Sequence, residues 1–179
     1  MPRAWRLQNR EHRLTNRQIQ VYIDPPTHHF LGDRLFQENG AVRLNGDQQE
    51  APYVHLRDHF ARRGIEVHTA DMLPSHVDES TRKVYFSLGR TYDAPRLVRR
   101  PDVDLGAFLA LECPIVEPSL YKALPRMARH FPNVYSWSDS TSLERFTGRA
   151  LKLRHFYWPQ SFDDVHSNLW HQTDRKSVV

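Results

Sequence analysis

Short apolar runs alternate with longer amphipathic segments, and this alternation limits the folds open to the chain. Runs typical of strands occupy 19–23, 65–68, 83–88, 104–111, 134–137 and 151–156. Between them, helical patterns occupy 51–63, 120–131 and a short segment ending at Phe146. The later apolar runs have no polar face, which is typical of strands covered on both sides. The sequence therefore predicts a Rossmann-like α/β domain, a parallel sheet flanked by helices.

Charge is unevenly distributed along the 179 residues, which carry a formal charge of +4. Residues 1–17 contain five arginines and one glutamate, whereas the rest of the chain holds 20 basic and 20 acidic residues. We therefore predict a basic tail over 1–17 and a folded domain over 18–172 that is not basic. The tail can contact a membrane surface or another polyanion, but it does not predict a specific nucleic-acid partner.

Cysteine content, apolar run lengths and the C-terminal segment predict the cellular compartment and the number of domains. A single cysteine, Cys113, excludes an intramolecular disulfide and favours a reducing compartment. No apolar run approaches the ~20 residues of a membrane span, and no apolar segment follows the basic start as in a secretory signal. We expect a cytoplasmic protein. Residues 173–179 are typical of a linker running into a new strand, so we also expect a C-terminal domain beyond them.

A carboxylate stands at one strand end of the predicted sheet. Glu112 follows the apolar run 104–111, and Pro114 turns the backbone away from the sheet. Ligands of parallel sheets bind at the carboxyl ends of the strands. Partial desolvation there would make Glu112 a better proton acceptor near neutral pH. The alternative is a structural glutamate, hydrogen-bonded to an amide of a neighbouring loop.

Two segments of the chain resemble one family of transferases. The segment Leu111-Glu112-Cys113-Pro114 and the later segment Asn133-Val134-Tyr135-Ser136-Trp137-Ser138-Asp139-Ser140 are similar to the glycosyltransferase family 10 fucosyltransferases. The similarity is closer to the bacterial branch over 109–160, which includes Glu117-Pro118-Ser119-Leu120-Tyr121 and Phe156-Tyr157-Trp158-Pro159-Gln160. It covers about a third of the chain; elsewhere only the layout agrees.

The resemblance implies a fold and a reaction. It implies the N-terminal, acceptor-binding half of a two-domain GT-B fold, with GDP-fucose bound mainly by a C-terminal domain. Glu112 matches the general base, and the product would form with inversion. Two positions depart from the family pattern. Cys113 replaces the usual serine, and Ser87-Leu88-Gly89-Arg90 stands where animal members carry paired histidines, so their acceptor contacts do not transfer.

Polar and aromatic residues at other strand ends are candidates for acceptor binding. Asp24, His28 and His29 follow the first strand, where a carboxylate and imidazoles could hydrogen-bond sugar hydroxyls. Trp137 and Trp158 lie at or beyond later strand ends, and their rings could stack on sugars. The alternatives are an ordinary loop for 24–30 and rim packing for the tryptophans.

Other site chemistries find little support. His55 and His59 have the i, i+4 spacing of metal ligands, but no third ligand accompanies them, and we predict neither a metal nor a cofactor. The predicted partners are a glycan acceptor and a nucleotide-sugar donor. Two other functions stay open: a non-catalytic α/β binding module, and a GT-B transferase that uses a different nucleotide sugar.

Overall fold

One parallel sheet organises the structure, a computed structural model that describes residues 18–37, 51–138, 140–148 and 150–156. Its strands are β1 (Gln18–Asp24), β2 (Glu66–Thr69), β3 (Thr81–Ser87), β4 (Val103–Ala110), β5 (Asn133–Ser136) and β6 (Arg154–His155). Neighbouring strands are parallel, in the order β2-β1-β3-β4-β5-β6. The predicted Rossmann-like α/β class is confirmed.

Helices cover the sheet: α1 (Ala51–Ala61), α2 (Ala94–Leu97), α3 (Pro118–His130) and α4 (Ser140–Thr147). Helix α3 shows best why its residues fold in this way. Pro118 opens its first turn, where a missing N–H costs nothing. Its buried residues, spaced three or four apart, form one apolar stripe facing the sheet: Leu120, Leu124 and Met127, with Tyr121 beside them. Among the described residues, no helix combines the length and apolarity that crossing a membrane requires.

Each face of the sheet carries its own apolar core, as the double-sided apolar pattern predicts. Tyr22 belongs to the core that α3 covers, whereas Val21 and Ile23 belong to the core on which α1 packs Tyr53 and Leu56. Successive residues of a strand point to opposite faces, so the two cores lie on opposite sides of the sheet.

The sixth strand is shorter than the sequence predicts. We expected a strand over 151–156, but only Arg154 and His155 pair with β5, and both are exposed. The apolar residues that suggested the longer strand, Leu151 and Leu153, instead pack as side chains against the core that α3 covers. Their hydrophobicity reflects burial rather than strand pairing.

A bulge in β4 sets the register of the sheet. Tyr85 of β3 pairs with Leu105, but the next residue, Phe86, pairs with Ala107, so Gly106 is the extra residue. A Cβ at Gly106 would lie 2.9 Å from the Phe86 ring, which explains why glycine is needed at this close approach. Because a one-residue shift exchanges the faces of a strand, the bulge determines which way the end of β4 presents its side chains.

A buried ionic cluster lies near the starts of β3 and β4, on what we call the amino edge of the sheet. The Asp102 carboxylate accepts hydrogen bonds from Lys83 Nζ at 2.9 Å and from Arg100 Nε and Nη2 at 3.0 and 2.7 Å. Arg100 Nη1 also donates to the carbonyl of Pro74, and Lys83 Nζ to that of Asp78. The cluster fastens the loop before β3 to the sheet.

Candidate functional site

The strand order places a topological switch point at the opposite, carboxyl edge of the sheet, where open α/β sheets have a crevice. From β1 the chain proceeds to β2 on one side, and then crosses to β3 on the other side of β1. Ligands of open parallel sheets bind outside the carboxyl ends of the strands where the direction of winding reverses. Asp24 ends β1, and its register partner Ser87 ends β3. We call the region of Asp24 and the loop Ser87–Arg90 the switch-point crevice.

The predicted catalytic and aromatic residues lie along the same edge. Glu112 lies two residues beyond β4, and Trp137 directly follows β5. Because β4 and β5 are neighbours, about 4.8 Å separates the two strand ends. Strand β3 lies between β1 and β4, so the loop Ser87–Arg90 starts between Asp24 and Glu112. The fold thus brings Asp24, Glu112 and Trp137 to one edge of the sheet.

The backbone at Glu112 is held by two side chains from neighbouring elements. Tyr121 Oη, on the first turn of α3, donates to the Glu112 carbonyl at 2.5 Å. Trp137 Nε1 donates to the Leu111 carbonyl at 2.9 Å. Such bonds fix the exit of β4 from the sheet, which satisfies carbonyls that strand pairing leaves open.

The carboxylate of Glu112 is more exposed to solvent than the sequence predicted. We expected partial desolvation at the end of an apolar strand, but Glu112 is exposed. The burial of β4 ends with Ala110, and the turn at Pro114 carries the following residues out into solvent. The alternative of a hydrogen bond to a loop amide is also absent, because no described residue donates to the Glu112 carboxylate. The group therefore stands at the edge with its acceptor atoms available.

Asp24 lies deeper in the edge than an acceptor-binding role suggested. Only 4% of the residue is exposed, and its Oδ2 accepts a 2.6 Å hydrogen bond from the buried Tyr85 hydroxyl. Burial raises the pKa of the Asp24 carboxyl above its usual range, against the opposing effects of the Tyr85 hydrogen bond and the Arg90 charge. Acceptor binding by Asp24 stays a prediction, and a sugar would have to reach a carboxyl group that is almost fully buried.

The two histidines after β1 lie on a loop that is attached to β2. The N–H of Asp33 donates to Thr69 Oγ1 at 2.9 Å, and Asp33 Oδ1 accepts from the N–H of Thr69 at 2.6 Å. Both histidines, His28 and His29, are exposed, and their ring centroids are 4.0 Å apart. The structure shows no hydrogen bond or ring contact between these histidines and the described residues of the Glu112 loop. Acceptor binding by His28 and His29 stays a prediction.

The remaining sequence candidates fall into two groups. Trp158 lies outside the described residues, as do both predicted end segments, 1–17 and 173–179. Trp137 is described, and 47% of it is exposed, so part of its surface can be reached by a ligand. Among the described residues, no three side chains of the metal-ligating types come together, and His55 and His59 find no third ligand there.

Sequence reasoning missed three residues that organise this edge. The hydroxyl groups of Tyr85 and Tyr121 donate hydrogen bonds from otherwise buried rings. A pattern of apolar residues does not predict such hydrogen bonds. Arg90 stood out only as a departure from a family pattern. Its guanidinium lies 3.7 Å from Asp24, measured from Nε to Oδ1. The signal that could have singled it out is Gly89, whose φ of +102° turns the chain directly after β3.

The fold and the edge residues define an α/β protein with a Rossmann-like parallel sheet and a polar, partly aromatic carboxyl edge. Comparison of the chain with family models, with curated proteins and with solved structures returned no match. The resemblance to fucosyltransferases therefore stays a hypothesis, carried by the residues of the chain itself.

Proposed function

We propose that the chain is the acceptor-side domain of an inverting glycosyltransferase of the fucosyltransferase type. The observation that carries the proposal is the state of Glu112 at the carboxyl edge. Its carboxylate is exposed and accepts no hydrogen bond from the described residues, while the adjoining backbone is held by Tyr121 and Trp137. A general base needs this combination of a fixed position and an open acceptor atom.

The reaction assigns one proton transfer to Glu112. The oxygen of an acceptor hydroxyl attacks the anomeric carbon of the donor sugar, and the bond from that carbon to the diphosphate oxygen breaks. The hydroxyl proton moves to the Glu112 carboxylate, and GDP leaves with the bonding electron pair. Attack and departure take place on opposite faces, so the anomeric configuration inverts. The donor would be GDP-fucose, bound mainly by a second domain.

Trp137 supports the acceptor in this proposal. Its indole N–H donates a hydrogen bond to the carbonyl of Leu111, the residue before Glu112. About half of Trp137 remains exposed. A sugar ring that stacks on the exposed part of Trp137 would bring its hydroxyls beside the base. The bound sugar would also displace water from Glu112, which makes a carboxylate a stronger proton acceptor. The desolvation that the free domain lacks would thus come with the substrate.

The chain offers a matched control for the catalytic residue. Glu117 is exposed in the same loop, five residues beyond Glu112, and accepts a hydrogen bond from the Ser119 hydroxyl. It lies at the start of α3 and away from the end of β4. Replacing Glu117 by glutamine changes the charge of the loop by the same amount as replacing Glu112, but leaves the proposed base intact.

The experiment measures transfer from GDP-fucose to a panel of glycans by the full-length protein. Glu112→Gln is expected to lower kcat by about 10²- to 10⁴-fold, which is the usual contribution of general base catalysis. Glu117→Gln is expected to retain the rate of the parent protein. Near-parent rates for Glu112→Gln, or equal losses for the two variants, would remove Glu112 from the proposed role.

A further inference from the structure

We propose that Arg90 is an oxyanion-binding residue, which takes a carboxylate or phosphate group of a ligand in the switch-point crevice. Glu112 plays no part in this site, so anion binding at Arg90 stands or falls separately from the proposed transfer. Only the assignment of the anion to an acceptor or to a donor rests on the proposed function.

The backbone that carries Arg90 is fixed against the sheet. The Ser87 hydroxyl donates to the Arg90 carbonyl at 2.6 Å, and the N–H of Leu88 donates to the Asp24 carbonyl at 2.9 Å. Between them, Gly89 adopts a φ of +102°, which other residues reach only with strain. Arg90 is therefore held at the carboxyl end of β3, where ligands of such sheets bind.

The guanidinium of Arg90 has unused hydrogen-bonding capacity. Its closest acidic partner is Asp24, with Nε and Oδ1 3.7 Å apart, which is beyond hydrogen-bond distance. No described residue accepts a hydrogen bond from its Nη1 or Nη2. The side chain is nevertheless only 30% exposed. Because no buried side-chain nitrogen among the described residues lacks a partner, the amino groups of Arg90 are open to solvent and can be reached by a ligand.

Arg100 is a useful comparison for Arg90, because every nitrogen of its guanidinium donates a structural hydrogen bond. Its Nε and Nη2 bond the Asp102 carboxylate, and its amino groups also donate to the carbonyls of Pro74 and His76. Only 9% of the Arg100 side chain is exposed. Arg90 has no comparable set of acceptors among the described residues. The difference leaves the amino groups of Arg90 available to a ligand, which those of Arg100 are not.

The neighbours of Arg90 suit an anchoring role. The Tyr85 hydroxyl holds Asp24 Oδ2, and the remaining oxygen, Oδ1, lies on the Nε side of Arg90. This arrangement leaves the two Nη groups for an incoming group. A guanidinium fork matches the paired oxygens of a carboxylate or phosphate, and such charge-assisted pairs are among the stronger hydrogen bonds. An acidic sugar of the acceptor and the diphosphate of the donor both offer that chemistry.

The experiment follows backbone amide signals of the 179-residue chain by NMR during titration with inorganic phosphate, glucuronate, glucose and GDP. Phosphate and glucuronate are expected to shift the signals of Gly89 and Arg90, whereas glucose, the neutral counterpart of glucuronate, is expected to leave them in place. Tighter binding of glucuronate than of GDP would assign the anion to the acceptor, and the reverse order would assign it to the donor. Either order supports the anion site.

Three variants test the residue itself. Arg90→Gln is expected to weaken phosphate and glucuronate binding by about 10- to 100-fold, the effect of losing a charged hydrogen bond. Arg90→Lys keeps the charge but not the fork, so intermediate affinity is expected. Arg96→Gln, at an exposed arginine paired with Asp93, is the matched control and should bind like the parent.

Two results would overturn the proposal. One is parent-like anion affinity in Arg90→Gln, and the other is the absence of anion-induced shifts at Gly89 and Arg90 in the parent chain. Should Arg90→Gln unfold, parent-like anion affinity in Arg90→Lys, in place of the expected intermediate affinity, would overturn the proposal. Failure of the proposed transfer would look different, because Glu112→Gln would then keep its transfer rate while anion binding at Arg90 persisted.

Discussion

Asp102 at the amino edge and Asp24 at the carboxyl edge are both almost completely buried, with 2% and 4% of each residue exposed. Their surroundings differ sharply. Burial raises the pKa of the Asp102 carboxyl, but hydrogen bonds from Arg100 and Lys83 outweigh it and hold the pKa far below its usual range. At Asp24 burial dominates and the pKa rises, because only the Tyr85 hydroxyl and the distant Arg90 oppose it.

The opposite pKa shifts of Asp102 and Asp24 indicate different roles for the two edges of the sheet. At the amino edge Lys83, Arg100 and Asp102 are bonded to one another, so the cluster contributes to the fold. At the carboxyl edge Asp24 is under-compensated, and within the described part of the chain the Arg90 amino groups and the Glu112 carboxylate make no hydrogen bond. A buried and under-compensated charge such as that of Asp24 costs stability, and proteins commonly retain such charges where a ligand binds.

The largest expected effect is at the amino edge. Asp102→Asn leaves the buried Lys83 without a charged partner, and breaking a buried pair from one side costs about 3–5 kcal/mol. The measurement is the free energy of unfolding from urea titration. Asp104→Asn is the control, because Asp104 pairs with Arg82 on a partly exposed surface and its loss should cost about 1 kcal/mol or less. Equal losses for the two variants would contradict the structural role of the cluster.

The positions of the first five strands could be predicted from the sequence to within about two residues, but the extent of the sixth strand and the contrast between the edges could not. Strand positions follow from local apolar runs, which set burial whatever the partner. The ionic cluster depends on Lys83 meeting Asp102 across neighbouring strands, and the crevice on Tyr85 meeting Asp24 from 61 residues away. No local pattern specifies such pairs.

The register between β3 and β4 could not be predicted from the sequence either. The bulge at Gly106 follows from contact with the Phe86 ring, and a glycine within an apolar run does not identify its neighbour. The location of Glu112 beyond a strand end was predictable from Pro114 and the apolar run. Its exposure was not, because exposure depends on how far neighbouring loops extend over it.

A smaller effect is expected at the carboxyl edge from Trp137→Phe. The substitution removes the hydrogen bond from Nε1 to the Leu111 carbonyl, at a partly exposed site, and should cost about 0.5–1 kcal/mol of unfolding free energy. Tyr92→Phe, at an exposed ring, is the control and should be neutral. A loss as large as that of Asp102→Asn would mean that this edge is also built mainly for stability.

The smallest effect is expected from Asp24→Asn, and it should change with pH. The asparagine oxygen can still accept the Tyr85 hydroxyl, so the contact survives while the buried charge is removed. Because the folded-state pKa of Asp24 is raised, the folded protein binds its proton more tightly than the unfolded chain does. The parent protein therefore loses stability as pH rises from about 3.9, the ordinary aspartate value, through the raised pKa.

The difference in unfolding free energy between Asp24→Asn and the parent reports this loss directly. It should shift in favour of the variant as pH rises from about 3 to 7, since the variant has no carboxyl to ionise at this position. For Asp102→Asn the shift should run the other way, because the depressed pKa of Asp102 adds stability to the parent above the ordinary aspartate value. Parallel pH profiles for the two variants would show that the edges do not differ in the way their contacts indicate. Opposite pH profiles would show that the under-compensated charge lies at the carboxyl edge, where we propose that Arg90 and Glu112 act on a ligand.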